Sequence, residues 1–256
     1  MLFGAVLGAT ALGVFIGRRV RHLSESLREP YGVLQAAMLG VVGLILAFGL
    51  SLAVSRYENR RAAIVHETNT IGTTYLRAQT LPEPIRSRSL ELLVAYTEGA
   101  IRLSEHVPGS EGQATVVADT EELERQLWAL GGQALEGAPN ASAPRLYIET
   151  LNEMIDAQTT RVAALNNQVP SAILYLEILG ASFALALLAT YLTLIGRGVA
   201  GVLAAAVLVG FLLLVTADLD RPTRGLIQIP ETVLEQQLES MEEPPAAAAP
   251  RKSPAP

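Results

Sequence analysis

Two sets of residues have types and spacing that could do chemistry. Glu177 lies about two turns inside an apolar run, residues 172–195, where a carboxylate facing lipid is costly and must turn to a helix bundle, an aqueous cavity or a cation. The start of that run, the end of the run at 32–54 and the end of the run at 198–217 belong at one membrane level, so Arg56, Asp218 and Asp220 are its natural partners. Two chemistries fit: an ion-pair network that ties helix ends together, or a proton or gating site. The second set is Leu44, Phe48, Ser51, Ser55 and Asn59, spaced four, three, four and four apart, which places them on one helical face. Repeated around a symmetry axis, that face forms an apolar constriction followed by hydroxyl and amide rings, a lining suited to anions. The competing reading is that the serine hydroxyls bond back to their own helix.

Other motifs fail on context. Gly196-Arg197-Gly198-Val199-Ala200-Gly201 spells the dinucleotide fingerprint, but it falls between two apolar runs and not after a strand, so the glycines have no pyrophosphate to cradle. His22, His66 and His106 are far apart, and His66-Glu67 lacks the second histidine of a zinc helix. With no cysteine there is no disulfide, thiolate metal site or thiol nucleophile. No GxSxG, Walker A or paired-carboxylate pattern occurs. A pI near 5.2 argues against nucleic acid as a partner. The expectation is a protein that is not an enzyme and holds no cofactor or metal.

The elements that must position these residues follow from hydropathy. Half of the 256 residues are hydrophobic and only 17% are charged, against about a quarter charged in ordinary soluble domains. The apolar residues gather at 2–17, 32–54, 172–195 and 198–217. Crossing about 30 Å of hydrocarbon takes roughly 20 helical residues. The last three runs are long enough, and the 16-residue first run spans if Arg18, Arg19 and Arg21 snorkel to the interface. A cleaved leader fits that run poorly because its charges follow the apolar stretch. Gly4/Gly8 and Gly13/Gly17 are GxxxG pairs and Gly180/Ala184 is a small-residue pair, with Gly198, Gly201, Ala205 and Gly210 in the last run, all suited to close helix packing.

Charge does not orient the spans. Arg18, Arg19, Arg21, Arg28 and Arg197 flank one side, and Arg56, Arg60, Arg61, Arg161, Arg221 and Arg224 the other, nearly a tie. Between the second and third spans no Gly or Pro interrupts until Gly72, so one long helix is expected from about 32 to 79, ended by Pro82 and Pro84. Three amphipathic stripes follow: Leu92, Leu93, Tyr96, Ala100 and Leu103; Val116, Leu123, Leu127 and Leu130; and Tyr147, Ile148, Leu151, Ile155, Val162, Leu165 and Val169. The fold class expected is all-α: four transmembrane helices with a helical-bundle insert between the second and third. The divisions are a first helix pair at 1–54, the insert at 55–170, a second pair at 171–217, a juxtamembrane segment with a short helix at 218–241, and a disordered Pro/Ala-rich tail at 242–256.

Four stretches carry a family resemblance: Ser-Arg-Tyr-Glu-Asn-Arg-Arg at 55–61, Glu-Thr-Asn-Thr-Ile-Gly-Thr-Thr-Tyr-Leu-Arg at 67–77 with Leu-Pro-Glu-Pro at 81–84, Leu-Asn-Glu-Met-Ile-Asp at 151–156, and Asp-Leu-Asp-Arg-Pro-Thr-Arg-Gly at 218–225. With them the chain resembles the bacterial membrane family labelled bestrophin-like, which is remotely similar to the bestrophin anion channels. Their pore helix carries a neck Phe, then an Arg followed by aromatics and later an Asn; Phe48, Arg56-Tyr57 and Asn69 are similar. The resemblance implies a homopentamer in a bacterial inner membrane, with insert and termini cytoplasmic and an inorganic anion such as chloride as the permeant partner. The acidic run that forms the bestrophin calcium clasp has no counterpart after residue 217, so calcium gating is not implied. The alternative function is a non-conducting interaction or sensory protein that acts through the insert.

Overall fold

Proline removes a helix hydrogen bond except in the first turn. Pro30 is at such a start and the next proline is Pro82, so nothing breaks the helix in between. In a computed structural model that describes residues 2–20, 28–196, 200–221, 223 and 225–243, this stretch is a single 51-residue helix, α2 (Arg28–Ala78), roughly 77 Å long at 1.5 Å per residue. Among the described residues there are seven further helices and no strand: α1 (Leu2–Val20), α3 (Ile85–Glu105), α4 (Glu111–Gly137), α5 (Ser142–Asn166), α6 (Ser171–Leu194), α7 (Ala200–Leu219) and α8 (Thr232–Glu242). Three helices are long and apolar enough to cross a membrane, within Glu29–Ala78, within Ser142–Leu194 and over Ala200–Leu219. The run at 2–17 is helical as part of α1. Arg21, His22, Arg197, Gly198, Arg224 and the tail from 244 onward lie outside the described residues.

The chain divides into two units, residues 1–57 with 168–227 and residues 58–167 with 228–256. In the first, Val6 of α1, Val42 and Leu46 of α2, Ala181, Ala184 and Leu185 of α6, and Ala206 and Leu213 of α7 form one apolar core. Gly13 and Gly17 let α1 approach α6 backbone to backbone, and Thr190 Oγ1 donates to the Gly13 carbonyl at 3.0 Å. At the other GxxxG pair, Gly4 and Gly8, no atom of the described residues lies within 4 Å of where a Cβ would sit. Gly196 ends α6 with φ +73°, a conformation L side chains rarely adopt. The first glycine of the apparent dinucleotide motif is thus a helix stop.

In the second unit the three expected stripes turn inward. Leu93, Tyr96, Leu127, Tyr147, Leu151 and Met154 are completely buried with Ile71 of α2. α8 belongs to this core: Leu234 and Met241 are buried in it, the Tyr75 hydroxyl donates to the Met241 carbonyl at 2.8 Å, and Gln237 covers Gly72. α8 is therefore part of the bundle, because its apolar positions at 234 and 241, seven residues apart, share one helical face.

Candidate functional site

α2 has two unlike faces. Val42, Leu46, Gly49 and Ala53, spaced four, three and four, pack inside the first unit, and the opposite face stays uncovered. Leu44, Phe48, Ser51, Ser55 and Asn59 all lie on that open face, with Leu44 58% and Phe48 62% exposed. Threonines of the same helix bond back to its backbone, as Thr68 Oγ1 does to the Ile64 carbonyl at 2.8 Å. Among the described residues, the Ser51 and Ser55 hydroxyls make no such bond. Other exposed apolar residues of this unit lie on α1, α6 and α7, among them Phe15, Leu179 and Phe211.

The four charges expected at one level do not assemble around Glu177. Asp218 accepts from the backbone N–H groups of Leu226 and Ile227, both at 2.9 Å. Asp220 accepts from the Val169 N–H at 2.7 Å, just ahead of α6. Arg56 is half-buried and engaged elsewhere. Glu177 is fully buried, and among the described residues it makes no ion pair and neither carboxylate oxygen has a hydrogen-bond partner. Its carboxylate fills the notch left by Gly49 of α2, where any Cβ would overlap it. Sequence spacing fixed the height of these groups along their helices and left their direction around the axis open, which is why the pairing expectation fails. An uncompensated buried carboxylate is costly in its charged form. Glu177→Gln is accordingly expected to hold or raise the thermal midpoint in detergent, by the equivalent of about 1–2 kcal/mol. Gly49→Ala should lower it, and a clear loss of stability in Glu177→Gln would contradict this reading.

The second unit holds a buried polar cluster. Arg161 and Glu67, both 0% exposed, form an ion pair at 2.7 Å, and Arg161 also donates to Ser104 Oγ at 2.5 Å. The Tyr96 hydroxyl donates to the other Glu67 oxygen at 3.3 Å. Burial, with the Glu67 and Glu124 carboxylates beside it, pushes the Tyr96 hydroxyl well above the usual phenol range. Arg60 donates to the carbonyls of Ala164 at 3.2 Å and Asn167 at 2.9 Å, closing the end of α5. The sequence places Arg60 and Arg161 among the charges flanking the spans. Both are buried structural cations, so they drop out of any positive-inside count. The signal was present in the sequence: Glu67 falls between Ile64 and Ile71, and Arg161 between Ala157 and Leu165, on the buried stripes of their helices. Among the described residues no three His, Asp or Glu side chains gather closely enough to hold a metal.

Long apolar helices, a membrane-length stretch of α2 with one uncovered face, and a helical bundle with its own core define an all-helical integral membrane protein. A family model described as the bestrophin-like domain matches residues 4–234. The chain belongs to the bestrophin-like family. Its fold matches crystal structures of a bacterial bestrophin homologue from Klebsiella pneumoniae. A form with a tyrosine-to-alanine mutation aligns at TM-score 0.68 and 16% identity, over 92% of this chain and 98% of that one. A form solved by zinc phasing aligns at 0.67 and 16%, with the same coverage. A form with a tryptophan-to-alanine mutation aligns at 0.68 and 15%, over 94% and 98%. No curated protein matches the chain.

Proposed function

We propose that the chain is a homo-oligomeric channel, a pentamer by family resemblance, that passes inorganic anions along the open face of α2. In this reading α1, the first part of α2, α6 and α7 are four spans, and the bundle and both termini lie on the cytoplasmic side of a bacterial inner membrane. The divisions at 1–54, 55–170, 171–217, 218–241 and 242–256 follow from it. The observation that carries the proposal is the α2 face itself. The subunit leaves uncovered a row that passes from Leu44 and Phe48 to Ser51, Ser55 and Asn59. Copies of that row around an axis give a dry neck that opens onto hydroxyl and amide dipoles, the order of groups that gates by dewetting and then solvates an anion. Membership of the bestrophin-like family supports the same reading.

The test has two parts. The mass of the purified chain in detergent, corrected for bound detergent, is expected to be a multiple of 27.2 kDa, five-fold by the family resemblance. Liposomes that hold the protein should release chloride faster than empty ones. A monomer contradicts the proposal, since one copy of α2 cannot enclose a path. An oligomer that releases no anion leaves the non-conducting interaction protein as the better reading.

A further inference from the structure

A groove of about 410 Å³ runs between α4 and α5 in the second unit, lined by Glu121, Glu124, Arg125, Trp128, Ile155 and Thr159. That volume is within the range of small-molecule sites, about 300–1,000 Å³. Its polar groups are unevenly used. Arg125 is drawn to Glu122, with two hydrogen bonds at 3.0 and 2.7 Å, and Glu122 offsets its charge. Thr159 is turned to the Ile155 carbonyl at 3.2 Å. Glu121 has no ion-pair partner among the described residues. Glu124 is 93% buried, being 7% exposed, and its Oε1 has no hydrogen-bond partner. Beside these carboxylates is Trp128, 45% exposed and the one tryptophan of the chain.

We infer that this groove binds a small organic ammonium ion, with the cation between the Glu124 and Glu121 carboxylates and the indole face of Trp128. A carboxylate with an unmet lone pair needs a donor or a positive charge. An aromatic face attracts a weakly hydrated organic cation, and most strongly when it is an indole. Two carboxylates fall short of a metal-ligand set, which takes more oxygen donors. The apolar flank of Ile155 suits alkyl groups on nitrogen. The site is remote from the α2 face in its chemistry, and the inference does not depend on conduction.

The groups around Glu124 make binding pH-dependent. Burial, with Glu121 of α4 and Glu67 of α2 nearby, pushes the Glu124 carboxyl up to about 7, and the Tyr96 hydroxyl of α3 and Arg125 of α4 oppose the shift. Arg161 of α5 is held by Glu67. A cation favours the ionised carboxylate, so affinity is nearly full by pH 8 and falls as Glu124 takes up a proton on passing down through pH 7. Between pH 8 and pH 5.5 the ionised fraction drops about 30-fold.

Trp128 is its own reporter, because no other tryptophan emits. The full-length protein in a maltoside detergent is titrated with tetramethylammonium chloride, against sodium chloride at equal ionic strength. The expected result is a saturable change in tryptophan emission at pH 8, with apparent affinity at least ten-fold weaker at pH 5.5. Glu124→Gln should abolish it and Glu121→Gln should weaken it several-fold, with circular dichroism confirming the helical fold of each. No saturable change beyond that of sodium overturns the inference, as does a change that both variants leave intact. Emission that acrylamide cannot quench overturns it too, since a second copy or another part of the chain would then cover the groove.

Discussion

Arg161→Met is expected to cost the helical bundle about 3–5 kcal/mol, the range for removing one partner of a buried ion pair. The guanidinium is 0% exposed and reaches Glu67 on α2 and Ser104 on α3. Methionine fills similar space and leaves the Glu67 carboxylate buried with only the Tyr96 hydroxyl, at 3.3 Å, to answer it. The loss is therefore mainly that of a stranded charge. Glu67→Gln in the same background removes that charge and should restore part of the stability, which a loss of packing alone would not permit. Exposed pairs set the contrast. Arg125→Ala, which breaks the surface pair with Glu122, should move the midpoint by less than about 1 kcal/mol. The measurement is loss of helical circular dichroism in detergent with rising temperature or denaturant, and equal effects for Arg161→Met and Arg125→Ala would contradict the assignment.

Gly13→Ala is the second large effect, about 2–3 kcal/mol through overpacking. A Cβ at this position runs into the carbonyl and Cα of Ala186, which are backbone atoms of α6 and cannot rotate away. The helices must separate, and the Thr190 hydroxyl then loses the Gly13 carbonyl that it meets at 3.0 Å. In the proposed four-span arrangement no hydrophobic drive would draw α1 back, so contact would depend on close packing of small residues. Gly4→Ala is the matched control. Nothing lies within 4 Å of its Cβ, so it should be neutral or slightly stabilising through helix propensity. A thermal midpoint that falls equally in both would show that α1 and α6 do not meet at Gly13.

How much was legible in the sequence differs with the kind of information involved. One-dimensional periodicity located the long helix, expected at 32–79 and found at Arg28–Ala78, and the three inward stripes of the bundle. Its length followed from the missing prolines. Direction around a helix is not carried by spacing alone. Leu44, Phe48, Ser51 and Ser55 shared a face on paper, and which way that face looks depends on Val42, Leu46 and Gly49 finding α6. Glu177 does not meet the partners its spacing suggests: Asp218 and Asp220 accept from backbone N–H groups of the chain beside α7 and α6. Glu67 and Arg161 were missed as a pair because 94 residues separate them. Only their presence on apolar stripes marked them.

The absence of cysteine makes the α2 face directly testable. Phe48→Cys places the one thiol of the chain at the proposed neck, and chloride efflux from liposomes is measured before and after a water-soluble anionic thiol reagent. If copies of α2 enclose the path, the reagent reaches Cys from the aqueous side and adds bulk and negative charge at the constriction, so efflux through Phe48→Cys stops while the cysteine-free protein is unaffected. Efflux that continues unchanged after the reagent, or a thiol that only lipid-soluble reagents can label, would contradict a path along Leu44, Phe48, Ser51, Ser55 and Asn59.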